Sequence, residues 1–589
     1  MRSRLLAAAV ATALLVAGCT TVPTKGPIRN SSQDGPASNS GGTGVEAQPP
    51  RPGAEPFQLV NGFLEAMSDS TGVDVAREYL TPAAGAAWKP ESTLVYDQNP
   101  GSGVVNSADG KVHLSAPLIA TIDARGSWTP AAPGTPLNWV FDLTKVSNEW
   151  RVANPPPGLV FLGSNQLPSK LTARALYFFN PAKHLLVADP VLLPFNLSAG
   201  QEATQLIQEL LKGPTNRFGN SVVSAAPPGT TVDVSVPVES GVATVALSDP
   251  AASLTDITDR EQLAAQIAWT LRPITRIRIT IEGAPLLPEQ LEVSYTDFGD
   301  YDPSVPGGRL KDLYGLRDGK VQRIEGQDDG QTIEAKPLED SQLYGYNAKS
   351  FAVNLRADAG AIVTTTKGGG KPVVVLARLS APKNEERESL IPTEGAVLRP
   401  TFDGEDNLWI LDRADTAKPR LRVRSPDGKL STVLTKFGDY GRPVELRMAP
   451  DGVRALLLMQ SKGVNSVLTA TVGSNDGKQL ELGRFKPLQL QLADITDASW
   501  NNAGILVAGK SPKGSPPRPF QVNVDGSQLN VIAGASSQFD AVHVASNPNL
   551  DTLPAVQDAS GKLHWQGKDL NWVALADGPE GRILPVYPG

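Results

Sequence analysis

One stretch of the chain reads Met448-Ala449-Pro450-Asp451-Gly452-Val453-Arg454-Ala455-Leu456-Leu457-Leu458, and it places an Asp-Gly pair directly before an apolar run. An Asp-Gly pair between apolar runs predicts a two-residue hairpin turn, because both central positions of that turn need positive φ. Such pairs recur, with their aspartates at Asp318, Asp329, Asp403, Asp427, Asp451, Asp476, Asp525 and Asp577. Their spacing corresponds to one or two hairpins, so residues 298–589 are predicted to be all-β.

The same stretch resembles the Ser-Pro-Asp-Gly blade signature of exported β-propellers, and Ser425-Pro426-Asp427-Gly428 is a closer copy. Blades of four strands take about 40–50 residues each. The resemblance therefore implies a C-terminal propeller of six or seven blades over residues 298–589. A pair of β-sandwiches is the alternative that the strand pattern leaves open.

Residues 171–297 predict an α/β domain. The expected elements are strands at Leu176–Phe179 and Arg276–Ile281, helices at Ala203–Leu211 and Arg260–Leu271, and a hairpin of Thr231–Val236 with Val242–Leu247. The segments Leu210-Leu211-Lys212-Gly213-Pro214 and Thr280-Ile281-Glu282-Gly283 resemble the GerMN domain of exported Gram-positive proteins. That resemblance implies binding of a ligand or partner. The motif residues are cap and turn residues, so they indicate a fold better than a site.

Residues 56–165 begin with a helical pattern from Phe57 to Met67 and continue with Val75–Leu80. Strand patterns follow at Val104–Ser107, Val112–Ile122, Leu137–Leu143 and Trp150–Val152. Helices followed by a curved antiparallel sheet resemble the nuclear-transport-factor-like (NTF2-like) domains. We therefore expect an α+β domain here.

The N-terminus is typical of an exported, lipid-anchored protein. Residues 1–18 carry a positive start and an apolar run from Leu5 to Ala17, which is short of a membrane span. The following Leu15-Val16-Ala17-Gly18-Cys19 resembles the lipobox of bacterial lipoproteins, which implies cleavage between Gly18 and Cys19 and a diacylglyceryl thioether on Cys19. An ordinary secretory signal with a chance cysteine is the alternative. Residues 19–55 are mostly small and polar and predict a flexible tether.

Composition excludes several classes of function. The 589 residues include 54 Lys and Arg against 61 Asp and Glu, for a formal charge of −7, and no basic block is present, so nucleic acid is a poor partner. The 55 glycines and 50 prolines favour turn-rich β structure. The single cysteine rules out an intramolecular disulfide and a multi-cysteine zinc site. We expect no cofactor and no metal.

One nucleotide-binding motif is matched by Gly504–Ser511, which has the Gly-x4-Gly-Lys-Ser pattern of a P-loop. Its middle residues are strand-like, and the proline-rich segment 512–517 cannot open the helix that a P-loop requires. We therefore interpret it as a blade strand and expect no nucleotide.

No catalytic constellation is visible in the sequence. The histidines His113, His184, His543 and His564 are isolated, and no nucleophile elbow is present. Carboxylate pairs such as Asp328-Asp329 and Glu385-Glu386 lie in polar runs, where solvated loop charges are expected. The sequence therefore predicts no catalytic residue and a protein that is not an enzyme.

The order of parts, from lipobox to propeller, resembles the LpqB family of actinobacterial lipoproteins. The resemblance implies an accessory lipoprotein anchored at the extracytoplasmic face of the cell membrane. It also implies a partner, the extracellular sensor domain of the histidine kinase MtrB in the MtrA/MtrB two-component system, and a role in cell-wall homeostasis and division.

Two other functions stay open. The first is an envelope lipoprotein that captures peptidoglycan fragments or glycans, for which aromatic residues would supply stacking surfaces. The tryptophans available in the propeller segment are Trp409, Trp500, Trp565 and Trp572, and at blade positions we expect them in the core. The second is a cell-wall enzyme, whose reactive residues give no sequence signal.

Overall fold

The structure, a computed structural model, describes residues 47–68, 73–97, 103–106, 111–162, 167, 170–304, 312–325, 334–366, 370–380, 389–474, 479–501, 504–511, 515–534, 539–546, 553–567, 570–575 and 582–589. Gly18, Cys19 and the predicted signal peptide lie outside these residues. In the part of the chain described here, no helix is both long and apolar enough to cross a bilayer. Three domains follow one another in the predicted order.

The first domain places three helices before a sheet. The helices are α1 (Pro56–Met67), α2 (Val73–Glu78) and α3 (Pro82–Ala87). The strands are β1 (Thr93–Tyr96), β2 (Gly103–Asn106), β3 (Val112–Ile122), β4 (Trp128–Pro130), β5 (Pro136–Phe141), β6 (Leu143–Val146), β7 (Glu149–Val152) and β8 (Leu159–Leu162). Strand β3 pairs antiparallel with β1, β2, β4 and β5, and β8 joins parallel to β1. The predicted helix-then-sheet order is confirmed.

One face of α1 forms the core of this domain. Leu59, Val60, Phe63 and Met67 follow the helical period and are buried. Phe63 lies against Trp88, with ring centroids 5.9 Å apart. Burial of this apolar stripe against the sheet fixes the helix to the strands.

The last part of the predicted tether, residues 47–55, is attached to this domain. The Tyr79 hydroxyl donates to the Gln48 carbonyl at 2.8 Å. The Gly53 backbone N–H donates to Glu149 Oε2 at 2.9 Å. Residues 47–55, which the sequence assigned to the tether, are therefore attached to this domain.

The second domain has the α/β organisation predicted for it. Its helices are α4 (Ala199–Leu211) and α5 (Ile257–Thr270), with 3-10 turns at Asp249–Ser253 and Tyr295–Tyr301. Its strands are β9 (Leu171–Phe179), β10 (Leu186–Pro194), β11 (Val238–Glu239), β12 (Val242–Leu247), β13 (Arg276–Ile281) and β14 (Ala284–Pro285). Strands β12 and β13 pair in parallel, and α5 is the crossover that a parallel pair requires.

One predicted strand in this domain is wrong. The alternation of Thr231–Val236 predicts a full hairpin strand beside β12, but the structure forms an isolated bridge from Val232 to Leu247, with flanking backbone hydrogen bonds from Asp233 to Ala246 and from Ser248 to Thr231. The reason is that the Val236 N–H donates to Thr204 Oγ1 on α4, at 2.8 Å, instead of joining a ladder. The two-residue strand β11 takes the hairpin position next to β12.

The end of the second domain extends past residue 297. Phe298, in the Tyr295–Tyr301 turn, is 7 % exposed and belongs to the core of the second domain. The ring of Tyr301 lies edge-on to that of Phe179, with centroids 5.2 Å apart. The first described propeller strand begins at Leu313. The predicted propeller start at residue 298 therefore placed a turn of the second domain in the propeller.

The described residues of the third domain form six blades of four strands. Blades 1 to 3 contain β15 (Leu313–Arg317), β16 (Lys320–Glu325), β17 (Glu334–Pro337), β18 (Ser350–Val353), β19 (Ala359–Thr365), β20 (Pro372–Arg378), β21 (Ser389–Pro392), β22 (Thr401–Phe402), β23 (Leu408–Asp412), β24 (Arg420–Arg424) and β25 (Leu430–Thr435). Blades 4 to 6 contain β26 (Arg442–Met448), β27 (Arg454–Ser461), β28 (Val464–Ser474), β29 (Leu480–Pro487), β30 (Ala493–Asn501), β31 (Gly504–Lys510), β32 (Arg518–Val522), β33 (Asn530–Val531), β34 (Ala541–Ala545), β35 (Ala555–Asp558), β36 (Leu563–Gln566) and β37 (Trp572–Ala574). Blade 1 takes its innermost strand, β38 (Leu584–Val586), from the C-terminus.

The ring is closed by the two ends of the domain. Strand β38 pairs antiparallel with β15, and Tyr314 lies opposite Val586. The innermost strands β38, β18, β22, β26, β30 and β34 contact one another in that order and back to β38. Pairing of the two ends of the domain in one blade closes the ring and leaves only short edges on the outer strands of the blades. The propeller prediction is confirmed, with six blades, and the sandwich alternative is wrong.

The Asp-Gly pairs mark turns for two different physical reasons. Asp318-Gly319 joins β15 to β16 with both φ values positive, 45° and 73°, as the hairpin argument requires. At the other described blade turns the aspartate side chain accepts a backbone N–H two residues further on, as Asp403 does from Glu405, Asp427 from Lys429, Asp451 from Val453 and Asp525 from Ser527. These are Asx turns. The glycine that follows the aspartate has positive φ at Gly428, Gly452 and Gly526, whereas in the Asp403 turn the positive φ is at Asp406.

The segment that matches a P-loop is a strand, as expected. Gly504–Lys510 is β31, and it pairs with β30 on one side and β32 on the other. The backbone amides that a P-loop presents to phosphate are here committed to the sheet.

Candidate functional site

The aromatic and histidine residues singled out from the sequence are largely structural. Trp409, Trp500 and Trp565 are 3 %, 6 % and 5 % exposed, and Trp572 is half-buried. Trp409 donates from Nε1 to Asp403 at 2.8 Å, and Trp500 donates to the Arg447 carbonyl at 3.0 Å. The expectation of core tryptophans is confirmed for these three, which present no stacking surface for a sugar.

The histidines lie in separate places. His184 Nδ1 lies 3.1 Å from Glu405 Oε1, and His564 Nε2 lies 2.7 Å from Asp558 Oδ2. Burial raises the pKa of Asp558, but hydrogen bonds from Ser560 and His564 outweigh it, so that pKa is lowered. Across the residues that the structure describes, no group of His, Cys, Asp and Glu is arranged to hold a metal.

Sequence reasoning missed a cluster of charges beside the propeller axis. Glu445 and Arg447 lie on the innermost strand β26, Asp497 on β30 and His543 on β34, and Arg399 precedes β22. Arg447 Nη2 lies 2.9 Å from Asp497 Oδ1 and 3.1 Å from Glu445 Oε1. His543 Nδ1 lies 3.3 Å from Asp497 Oδ2, and Arg399 Nε lies 3.5 Å from Glu445 Oε1.

Burial and neighbouring charges raise the pKa values of two groups in this cluster. Desolvation, with repulsion from Asp497, raises the pKa of Glu445 to about 7. Burial lowers the pKa of His543. The hydrogen bond to Asp497 and the negative charges of Asp497 and Glu445 raise it by more, so the net shift of the His543 pKa is upward. The partners in this cluster come from blades 3, 4, 5 and 6.

A second feature that the sequence did not reveal is the joint between the first two domains. Arg125, on the loop from β3 to β4, donates from Nε to Glu209 Oε2 at 2.9 Å. Its Nη2 donates to the carbonyls of Glu209 at 3.0 Å and Gly213 at 2.6 Å, and Nη1 donates to the Pro214 carbonyl at 3.1 Å. One guanidinium group thus donates hydrogen bonds to four acceptors at the C-terminal end of α4.

The C-terminal end of α4 favours a positive charge beside it. Gly213 ends the helix with φ 86°, which leaves the last carbonyls without intrahelical partners. Those carbonyls carry the negative end of the helix dipole, which favours a positive charge. Glu209, 8 % exposed, adds a full negative charge and also pairs with Lys212 at 2.6 Å.

Close backbone packing supports the same joint. Gly126 has φ 79°, and its carbonyl accepts the Leu192 N–H at 2.9 Å. A Cβ at Gly126 would lie 2.4 Å from the Leu192 carbonyl oxygen, so only glycine fits. Ile122 and Trp128 of the first domain share one buried cluster with Leu192 of the second. The first two domains are therefore packed as one body.

The second domain is joined to the propeller through blade 4. Val453, in the turn of the blade signature, is 2 % exposed and belongs to the core of the second domain. The Asn180 amide donates to the Asp451 carbonyl at 3.4 Å, and Ser221 Oγ lies 3.1 Å from Thr471 Oγ1. A turn of propeller blade 4 thus contributes a side chain to the core of the second domain.

The comparisons with known proteins agree with this architecture. Residues 49–167 match a family model described as lipoprotein LpqB, N-terminal domain, and residues 327–588 match one described as lipoprotein LpqB beta-propeller domain. Residues 175–287 match a model described as sporulation and spore germination.

Relatives named lipoprotein LpqB align along nearly the whole chain. The protein from Thermobifida fusca (strain YX) is 30% identical over 99% of this chain and 99% of its own. Those from Streptomyces coelicolor and Cutibacterium acnes are 28% and 27% identical, and each is covered over at least 97% of its length. On the strength of these matches and of the three domains in their order, the chain belongs to the LpqB family of lipoproteins.

Proposed function

We propose that this protein is a lipid-anchored accessory lipoprotein on the extracytoplasmic face of the cell membrane. In this proposal Cys19 carries the diacylglyceryl group, and the protein binds the extracellular sensor domain of an MtrB-like histidine kinase without catalysing a reaction. The lipobox pattern at Leu15–Cys19 and the shared family name of the relatives support the anchor. Two acyl chains hold a protein on a bilayer stably, whereas one binds only marginally.

The observation that carries the proposal is the coupling of the three domains. Arg125 fastens the first domain to the second, and Val453 fastens the propeller to the second. A coupled array presents surfaces from several domains in one fixed arrangement, so binding does not have to supply the free energy of ordering them. Such a preorganised surface suits recognition of a folded protein domain.

The proposed mechanism is a shift in the equilibrium of the kinase. A lipoprotein that binds one state of the sensor more tightly moves the population towards that state, by no more than the difference in affinity. The anchor adds effective concentration, because both proteins then share one membrane surface. A weak direct affinity is therefore enough for regulation on the membrane.

The glycan-binding alternative loses its main support in the propeller. Three of the four tryptophans considered for sugar stacking are buried, and Trp409 and Trp500 donate their Nε1 hydrogens inside the fold. Stacking on a sugar needs an accessible aromatic face. The coupled domains favour the protein partner.

The test is direct binding between the full chain in nonionic detergent and the purified sensor domain of the kinase, measured by isothermal titration calorimetry. We expect saturable binding with a dissociation constant of about 100 µM or tighter. The Arg125→Ala variant, which loosens the array, should bind more weakly, whereas the exposed-site variant Arg442→Gln should not. No binding at about 1 mM sensor domain would contradict the proposal, and binding of peptidoglycan fragments instead would establish the alternative.

A further inference from the structure

A cleft opens where the second domain meets blades 4 and 5, and we call it the junction cleft. Most of the long side chains in its wall are cationic. Its defining residues are Arg217, Phe218, Arg454, Arg484, Lys486 and Trp500. The protein as a whole carries a formal charge of −7, so this concentration of positive charge is local.

One of the four cations is already neutralised. Arg454 Nε lies 2.6 Å from Asp451 Oδ2, and the Arg454 guanidinium stacks over the ring of Trp500 at 5.4 Å from its centroid. This pair forms a fixed wall of the cleft. It leaves the charges of the other three residues to be explained.

Arg217, Arg484 and Lys486 form no ion pair with any carboxylate among the described residues. Arg217 Nη2 donates to the Trp128 carbonyl at 3.2 Å, but its Nε is buried and lacks a hydrogen-bond partner in the same described part of the chain. Arg217 lies within electrostatic reach of the buried carboxylate of Asp189. Arg484 and Lys486 are exposed and have no such partner among the described residues, so their positive charges favour an anion in the cleft.

The backbone makes room for one of these guanidinium groups. Arg484, on β29 of blade 4, reaches across to the second domain, where Nη1 lies 3.5 Å from the Asn216 carbonyl oxygen. A Cβ at Gly219 would lie 2.1 Å from Arg484 Nη2, and Gly219 has φ 57°. Arg484 is therefore seated against a glycine, with its charge at the mouth of the cleft.

We propose that the junction cleft binds the phosphate group of a small anionic ligand. The planar fork of arginine matches phosphate oxygens in a bidentate way, and lysine adds a point charge. A doubly charged phosphate would balance the charges of Arg484 and Lys486 together, whereas a single carboxylate would balance only one of them. The binding site would lie between two domains, so the ligand would also strengthen their junction by mass action. This site stands independently of the kinase partner.

The experiment is calorimetric titration of the full chain, in nonionic detergent at low ionic strength, with four probes. Pyrophosphate and inorganic phosphate represent a soluble source, soluble dihexanoyl phosphatidic acid represents a lipid phosphate headgroup, and acetate represents a single carboxylate. We expect pyrophosphate or the phospholipid to bind saturably and more tightly than acetate. Arg484→Gln and Lys486→Gln should each weaken that binding about tenfold, since each removes a charge-assisted contact.

Matched controls separate a site from a general effect of charge. Both test residues are exposed, so the variants should fold, and Arg442→Gln removes the same charge from the same blade outside the cleft. Arg442→Gln should leave binding unchanged. If only binding of the phospholipid depends on Arg484, the ligand is a lipid headgroup. If binding of pyrophosphate depends on Arg484, the ligand is a soluble phosphate.

Three results would overturn the proposal. The first is no saturable heat with either phosphate probe or the phospholipid up to about 10 mM. The second is tighter binding of acetate than of any phosphate. The third is equal weakening by Arg442→Gln and Arg484→Gln, which would show a nonspecific charge effect.

Discussion

Replacing Arg125 with alanine should loosen the joint between the first two domains. Arg125 Nε, Nη1 and Nη2 donate four hydrogen bonds, to Glu209 Oε2 and to the carbonyls of Glu209, Gly213 and Pro214. The substitution removes all four and leaves Glu209, 8 % exposed, with Lys212 as its remaining ion-pair partner. The last carbonyls of α4 also lose the positive charge that faces the helix dipole.

The expected loss is about 2–4 kcal/mol of interdomain free energy. Removing one partner of a buried ion pair costs about 3–5 kcal/mol. The Arg125 side chain is 25% exposed and Lys212 stays in place, and both reduce that cost. The four hydrogen bonds share one guanidinium, so their separate contributions of about 1.5–3 kcal/mol do not add.

Hydrogen exchange at the Leu192 amide measures this joint directly, because that N–H donates to the Gly126 carbonyl of the other domain. Arg125→Ala should reduce its protection by roughly 30- to 1000-fold, which corresponds to about 2–4 kcal/mol. Amides inside α4 should keep their protection. Arg151→Ala, in the same domain but bonded to the adjacent Trp150 carbonyl, is the control. A change of less than about threefold at Leu192 would refute the reasoning.

Two further predictions concern the propeller. The raised pKa of His543 means that its pairing with Asp497 stabilises the fold below about pH 6.5 and that this contribution is lost as pH rises through the folded-state pKa. His543→Gln should therefore lower the calorimetric Tm of the propeller at pH 5.5 and leave it nearly unchanged at pH 9; equal losses at both would contradict this. At the ring closure, a Cβ on Gly315 would lie 2.0 Å from Ile583 Cγ2, so Gly315→Ala should destabilise the propeller by about 1–3 kcal/mol in urea unfolding. Gly345→Ala, with no atom within 4 Å, should change nothing, and equal midpoints for the two variants would exclude the closure argument.

The architecture was accessible from sequence because it depends on local patterns. Alternation along Val112–Ile122 gave that strand its full length, and the apolar period of α1 gave the helix. The spacing of Asp-Gly pairs predicted all-β structure, and the resemblance of two of them to the Ser-Pro-Asp-Gly blade signature implied the propeller. Spacing alone does not reveal how a turn is stabilised. The sequence therefore predicted a two-residue hairpin turn at Asp451, where the structure has an Asx turn.

The joints and the charged sites were not accessible, because their partners are far apart in the chain. Arg125 and Glu209 are 84 residues apart, and Arg447 and Asp497 are 50 apart. Each residue alone is an ordinary surface charge in its local segment. The sequence around Val453 predicts the start of a blade strand, and only the packed structure shows that Val453 lies in the core of the second domain.

The proposed binding of a sensor kinase by the anchored protein can be tested at the membrane itself. Crosslinking in living cells, followed by purification from membranes, compares the wild type with Cys19→Ala, which cannot take the lipid. We predict that the kinase is recovered with the wild type and is strongly depleted with Cys19→Ala at equal protein levels. Recovery of cell-wall fragments without the kinase, or equal recovery of the kinase with both forms, would contradict this account.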